Sequence, residues 1–303
     1  MIYDLRHRTT YSYGDAAVTY ARCVLRLTPV SNSHQTVIDA DLKVTPRPSV
    51  SLERIGPFGE RILTVIVDKP HNTLVIDATS RVNVHSPKPP EGCDSAPWEA
   101  VRGAALAAAS LEADGPAVYV YPTDRTPITP SITDYARESF PPGRPIIDAC
   151  SELNRRIHAD FRYDPGATEV STPVLEAFNA RHGVCQDFAH IMITGLRGLG
   201  LSACYVSGYL RTVPPPGQPR LEGADATHAW IAVWCGEAHG WIGFDPTNAI
   251  LAEDDHIVLA VGRDYADVAP IDGIILASGG QSLKVEVDVI PETEERPKAA
   301  KGR

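Results

Sequence analysis

No run of the 303-residue chain stays apolar for the roughly 18 residues that a membrane-spanning helix needs, so no bilayer helix is expected. The opening residues, MIYDLRHRTT, hold no apolar core of a secretion signal. The cytoplasm is therefore the expected compartment. Positive charge is also scarce. The 28 Lys and Arg are outnumbered by 38 Asp and Glu, a net charge of −10, which argues against nucleic acid or an anionic membrane as partner. The six cysteines, Cys23, Cys93, Cys150, Cys185, Cys204 and Cys235, form no C-x-x-C pair. Without a secretion signal they read as reduced thiols, not as a disulfide framework. Also missing are G-x-G-x-x-G, G-x-x-x-x-G-K-[ST], G-x-S-x-G and H-E-x-x-H. No dinucleotide, nucleotide-phosphate, serine-elbow or zinc-protease signature is present, and no cofactor is expected.

The composition is that of a globular protein, 43% hydrophobic and 22% charged, and the length suits about two domains. Residues 2–85 are alternating β runs such as IYDLRHRTTYSY and TLVIDATSRVNV, broken by turns at Gly14-Asp15, Ser31-Asn32-Ser33, Gly56-Pro57 and His71-Asn72. Closely spaced short strands of this kind predict a β-sandwich-like domain over 1–86. His7 and His85 fall on those strands as solvated or core residues. Residues 87–145 read as a connection: a Pro/Gly/Ser-rich linker, an Ala-rich helix from Trp98 to about Leu111, then a Pro-rich passage. From 146 to 290 the pattern is α+β. Helices are expected at 146–158, over STPVLEAFNARHG with Thr172 as N-cap and Gly183 as terminator, and from Cys185 to Gly198. Strands follow over LSACYVSGYL, THAWIAVW, GWIGFD and SLKVEVDVI, with Pro214–Gly217 in a loop. A disordered tail is expected over 291–303.

Chemistry concentrates in three places. RHGVCQDFAH puts Cys185 at the start of an apolar helix, where free N–H groups and the positive dipole end favour a nucleophilic sulfur. The competing reading is an inert core cysteine. THAWIAVW and GWIGFD form a hairpin. If Cys235–Ala238 is its loop, Trp234 pairs with His239, and that register sets His228 directly opposite Asp245 on one face. A carboxylate there would hold one imidazole nitrogen and leave the other free. Thiol, imidazole and carboxylate together are the nucleophile, base and orienter of covalent acyl transfer.

Other residues in these segments admit two readings each. Asp187 could tune the thiol or serve the helix start by its charge. Gln186 could face the site or solvent. Tyr163 in FRYDPG could line the site, donate to an oxyanion, or simply pack. Trp230 and Trp241 share the face of the His–Asp pair, as pocket walls or as core. His182 and His190 flank Cys185, but H-x-x-C-x-x-x-x-H is not a standard zinc spacing, and no metal is expected. Glu253-Asp254-Asp255 reads as a solvated turn.

GVCQDFAH, ATHAW and GWIGFDPTN resemble the Cys, His and Asp boxes of the transglutaminase-like superfamily. The whole chain resembles its bacterial members with a β-rich N-terminal domain, to which YVSGYL and VGRDYADVAP also correspond. The resemblance implies a papain-like α+β core with Cys185 as nucleophile, His228 as general base and acid, and Asp245 as orienter. It further implies a protein or peptide substrate attacked at an amide bond through a thioester. Resolution by water gives a peptidase or amidase, the outcome leaned to here. Resolution by an amine gives a protein-glutamine transglutaminase. A non-catalytic binding module on the same fold is the alternative of another class.

Overall fold

The structure, a computed structural model, describes residues 1–14, 17–85, 94–212, 226–277 and 279–293. Most of the predicted linker (86–93, with Cys93), the Pro214–Gly217 loop and the tail from 294 lie outside the described residues. In chain order the elements are β1 (Ile2–Ser12), β2 (Ala21–Leu25), β3 (Gln35–Thr45), β4 (Val50–Ile55), β5 (Arg61–Val67), β6 (Thr73–Val84), α1 (Trp98–Ala107), α2 (Pro130–Arg137), α3 (Ile146–Asp160), β7 (Arg162–Tyr163), α4 (Val174–Ala180) and β8 (His182–Gly183). They continue with α5 (Cys185–Gly198), β9 (Ala203–Leu210), β10 (Ala226–Trp234), β11 (Trp241–Asp245), β12 (Ile250–Leu251), β13 (His256–Gly262), α6 (Tyr265–Val268), β14 (Ile271–Ile275) and β15 (Ser282–Pro291).

The alternation in β1 buries Tyr3, Leu5, His7 and Thr9 and leaves the residues between them partly exposed, as a strand with one covered face must. Two four-stranded sheets make the expected sandwich, in the orders β15-β1-β6-β3 and β14-β2-β5-β4. Between them pack Cys23, Leu25, Val65, Val67, Leu74 and Ile76. This corrects the expected boundary at the C-terminal end. SLKVEVDVI does not belong to the second domain: β15 pairs antiparallel with β1 from Tyr3↔Pro291 to Ser12↔Ser282, and β14 pairs with β2. The strand pattern carries no partner information, and β1 needed a second neighbour for its outer backbone groups.

Residues 94–145 are likewise not a connection but part of the second domain. Trp98, Val101, Tyr119, Ile132, Tyr135 and Phe140 are all buried. Helix α5 lies at the centre of this domain, with Gln186 to Arg197 buried throughout. The sequence suggests one apolar stripe, but α2 and α4 pack on α5 as well as β9 and β10, so every face is covered. Even Arg197 is 2% exposed. Its guanidinium donates to Tyr119 O, Thr126 Oγ1, Ala203 O and Arg263 O, which replaces the lost water. The five-stranded sheet runs β12-β11-β10-β9-β13. Upstream, α4 stops at Arg181, which takes the left-handed conformation (φ 58°) assigned in the sequence reading to Gly183.

A seam of Tyr3, Leu5, Val82, Val84 and Val287 against Tyr209, Ile257 and Leu259 joins the sandwich to the second domain. His7 sits in it, Nδ1 against Tyr209 Oη and Nε2 against Thr9 Oγ1, both at 3.0 Å. Burial pushes its imidazole down to about 4. The folded protein therefore holds His7 neutral while the unfolded chain protonates it near 6.5. Stability is lost as pH falls from about 6.5 towards 4, by roughly 3 kcal/mol at most from this residue. Thermal melts of the wild type and His7→Leu between pH 7 and 4 check this: the mutant's melting temperature should fall less steeply with acid. Truncation after Gly280 removes β15 from β1. It should abolish the cooperative melt of the sandwich, read by circular dichroism.

Candidate active site

Cys185 is the first residue of α5, with Val184 as an extended N-cap. Asp187 closes the helix start: its Oδ2 accepts the Val184 N–H at 2.8 Å and the Thr168 hydroxyl at 2.6 Å. That is the capping role, and burial raises its carboxyl despite these bonds. The N–H groups of Cys185 and Gln186 donate to no backbone carbonyl among the described residues, as the first turn of a helix dictates. The Gln186 side chain is held by its own bond, Nε2 donating to Val170 O at 3.1 Å. Tyr163 pairs with Gly183, two residues before Cys185. Half exposed, it packs edge-on to Phe188, and burial together with the nearby Cys185 raises its hydroxyl.

The hairpin forms, but in a different register. Trp234 pairs with Trp241, Val233 with Ile242, Ala232 with Gly243 and Ile231 with Phe244. The loop is longer than four residues, closing through Cys235 N–H to Gly240 O and Gly240 N–H to Gly236 O. The slip is two residues, so every side chain keeps its predicted face. His228 and Asp245 become diagonal neighbours rather than an opposed pair, and the side chains still meet, Nε2 to Oδ2 at 2.8 Å. The Cys185 thiol lies near enough to the imidazole to favour its charged form as well. The tertiary structure thus brings Cys185, His228 and Asp245 together.

Asp245 is fully buried and accepts five bonds. Oδ1 takes the N–H groups of Thr247 (2.9 Å) and Asn248 (3.2 Å). Oδ2 takes His228, Asn248 Nδ2 (2.7 Å) and His256 Nε2 (3.2 Å). Burial pulls this carboxyl up, but the bonds from His228 and His256 prevail and hold it well below the usual carboxylate range. An ionised carboxylate only accepts, so both imidazoles carry a proton on Nε2. For His228, burial disfavours charge. The Asp245 bond, the Cys185 bond and the charge of Asp245 outweigh it and raise the imidazole to about 9.

The arrangement has counterparts. Residues 3–83 match the model of the bacterial transglutaminase-like N-terminal region, and residues 133–246 match that of the transglutaminase-like superfamily. An uncharacterized protein of Mycobacterium tuberculosis is 42% identical over 300 residues, spanning 95% of this chain and 92% of its own. The chain belongs to the transglutaminase-like superfamily. A second uncharacterized relative, from Mycobacterium leprae, is 31% identical over 289 residues, spanning 93% of this chain and 96% of its own. In the fold comparison, the crystal structure named "a Putative Cysteine Protease from Cytophaga hutchinsonii" superposes with a TM-score of 0.71, covering 98% of this chain and 93% of that one at 20% identity. It shares the fold.

Within this transglutaminase-like site the sequence reading missed Asn248 and His256. Asn248 had a signal, since Asp-Pro-Thr-Asn after a strand is a turn whose Asp side chain caps its own backbone. His256 had none, because it lies on another strand. Trp230 does not line an open pocket. It is 2% exposed and stacks on the His228 ring at 6.0 Å and 26°, a support from inside. Trp241 is held elsewhere, donating to Asp114 O. His190 accepts the Tyr265 N–H, and burial pushes it down to about 4, a neutral core histidine. The one metal-like convergence among the described residues is His228, Asp245 and His256, whose ligand atoms lie within 4.8 Å of one another. A cation there would displace both Nε2 protons that Asp245 now accepts.

Two glycines make room for this packing. A Cβ on Gly208 would lie 2.6 Å from the Trp230 ring and 2.1 Å from Ile257 O, and one on Gly243 would lie 2.6 Å from the Ala252 Cβ. Gly208→Ala therefore drives Trp230 off His228. A destabilisation of roughly 1–3 kcal/mol or more is expected, with a red shift in tryptophan fluorescence; an unchanged melt would refute the packing.

Proposed function

We propose that the protein is a cysteine-nucleophile acyl-transfer enzyme acting on an amide bond of a protein or peptide. The observation that carries this reading is the His228–Asp245 pair, Nε2 to Oδ2 at 2.8 Å on a fully buried carboxylate, with the Cys185 thiol at the start of α5 near the imidazole. Asp245 and Cys185 both favour the protonated imidazole, so His228 carries its proton at neutral pH and faces the sulfur as a cation. With the thiol proton already held by His228, the sulfur attacks the amide carbon, forming S–C. Negative charge moves to the carbonyl oxygen, where the Cys185 N–H at the helix start, which donates to no backbone carbonyl among the described residues, can meet it. His228 then gives its proton to the amide nitrogen as C–N breaks, leaving a thioester and a free amine. Water attacks the thioester, one of its protons passing to the now neutral His228, and C–S breaks to release a carboxylic acid and leave the sulfur as a thiolate beside the imidazolium. Asp245 holds the imidazole orientation throughout. The presence of all three members supports an enzyme over a non-catalytic module.

Incubation with glutamine- and isopeptide-bearing peptides, with and without a primary amine, tests the reading by mass spectrometry. Hydrolysis is expected to dominate, and Cys185→Ala should lose at least about a thousandfold in kcat. Dominant amine incorporation would turn the assignment to a transglutaminase. Undiminished turnover by Cys185→Ala would remove the nucleophile.

A further inference from the structure

The segment that delivers His256 is unusual. β12 and β13 lie at opposite edges of the five-stranded sheet, yet only Ala252 to Asp255 separate them. The chain must cross the sheet, and it does so over bare glycines. Ala252 lies against Gly243, its N–H donating to Gly243 O, and the Ile257 carbonyl lies against Gly208. Both glycines pair into the row of β10 that carries His228, Trp230 and Ala232. The crossing segment ends on His256, 5% exposed, edge-on to Trp230 at 5.0 Å and bonded to Asp245 Oδ2. Its Nδ1 is buried with no hydrogen-bond partner among the described residues. A buried imidazole with one nitrogen unmet has a cost, and its return here is one bond, to the orienting carboxylate.

The N-terminal sheet grips this segment on both sides of His256. Tyr3 Oη donates to Asp255 Oδ1 at 2.8 Å. Gln35 binds the Val258 backbone twice, donating from Nε2 to its O at 2.7 Å and accepting its N–H on Oε1 at 2.9 Å. Asp255, read from the sequence as part of a solvated turn, is thus a clamp point. Both interdomain contacts bear on the chain within two residues of His256.

We infer that His256 is a positioning residue that fixes the Asp245 carboxylate against His228, and that the N-terminal sheet, through Tyr3 and Gln35, holds His256 in place. The diagonal register explains the need. A carboxylate that must lean along the strand to reach His228 has freedom to rotate away. Oδ1 is fixed by the turn and Oδ2 by Asn248 and His256, leaving one orientation. His256 is 5% exposed and reaches the site through Asp245, so its loss acts on turnover and not on binding. It also assigns the β-rich domain a part in the chemistry beyond support. The inference rests on Cys185 being the nucleophile.

The test uses the full chain, with p-nitrophenyl acetate as an activated ester and iodoacetamide alkylation of Cys185 followed by mass spectrometry. Wild type is compared with Cys185→Ala, His256→Gln, His256→Asn, His256→Leu, Gln35→Leu and the Gln35→Leu/His256→Leu double variant. Gln places an N–H donor where Nε2 now lies; Asn is too short. Expected is a fall in kcat of about 10–100-fold for Leu and Asn at unchanged KM, with Gln within about threefold of wild type. If Leu does not fold, the Gln–Asn contrast decides. Equal kcat for wild type, Asn and every folded variant overturns the role of His256. Gln35→Leu should lower kcat, and the double variant should be no slower than His256→Leu alone; additive losses overturn the clamp. Undiminished rates in Cys185→Ala would instead refute the nucleophile and leave the His256–Asp245 contact to a second readout. That readout is the downfield proton resonance of His228 Nε2–H, which should move in His256→Asn and stay in His256→Gln.

Discussion

A fully buried carboxylate is tolerable only if its lone pairs are filled, and Asp245 meets that condition with five donors. Much of the second domain is arranged around that requirement. The turn after β11 supplies the two N–H groups and the Asn248 amide, and α3 anchors that turn through His158 Nδ1 to Thr247 O and Asn154 Nδ2 to Ile250 O. The sheet supplies His228 from the next strand. The crossing segment supplies His256. Once met, the carboxylate stays ionised, and its bond to His228, with the nearby Cys185 thiol and its own charge, raises the imidazole against the effect of burial.

That network also explains features that otherwise look separate. Gly208 and Gly243 sit where a side chain would block either Trp230 or the crossing segment. Trp230 fills the space beneath His228 and beside His256 and excludes water from the imidazole–carboxylate bond. Sandwich and second domain share a largely apolar seam, and polar contacts from Tyr3 and Gln35 beside it fall on the segment that ends at the site. The C-terminal strand returns to pair with β1, the strand that carries Tyr3. Two domains in sequence order are one interlocked unit in space.

Several elements were legible because their physics is local. Alternation over residues 2–84 places strands, and a glycine-flanked cysteine before an apolar run places the start of α5. The His228–Asp245 pairing was legible as a face but not as a distance. A two-residue slip costs nothing in patterning, because side chains repeat every two residues, so only loop closure at Cys235–Gly240 could select the register. The Cys185-to-His228 contact had no local signal and entered through family resemblance. The pairing of β15 with β1 and the burial of residues 94–145 were misread for the same reason: a strand or helix pattern states that one face needs covering, not what covers it.

Near neighbours along the chain set helix starts, turns and side-chain alternation, so the sequence alone marked the candidate residues, the elements that carry them and the faces they share. The tertiary structure decided the rest. It brought the thiol to the imidazole, chose a diagonal over a direct pairing, and added Asn248 and His256 to the carboxylate. It also returned the last strand to the first. Those outcomes depend on burial and on the need of each buried polar group for a partner, and both are set by contacts between residues far apart in the chain.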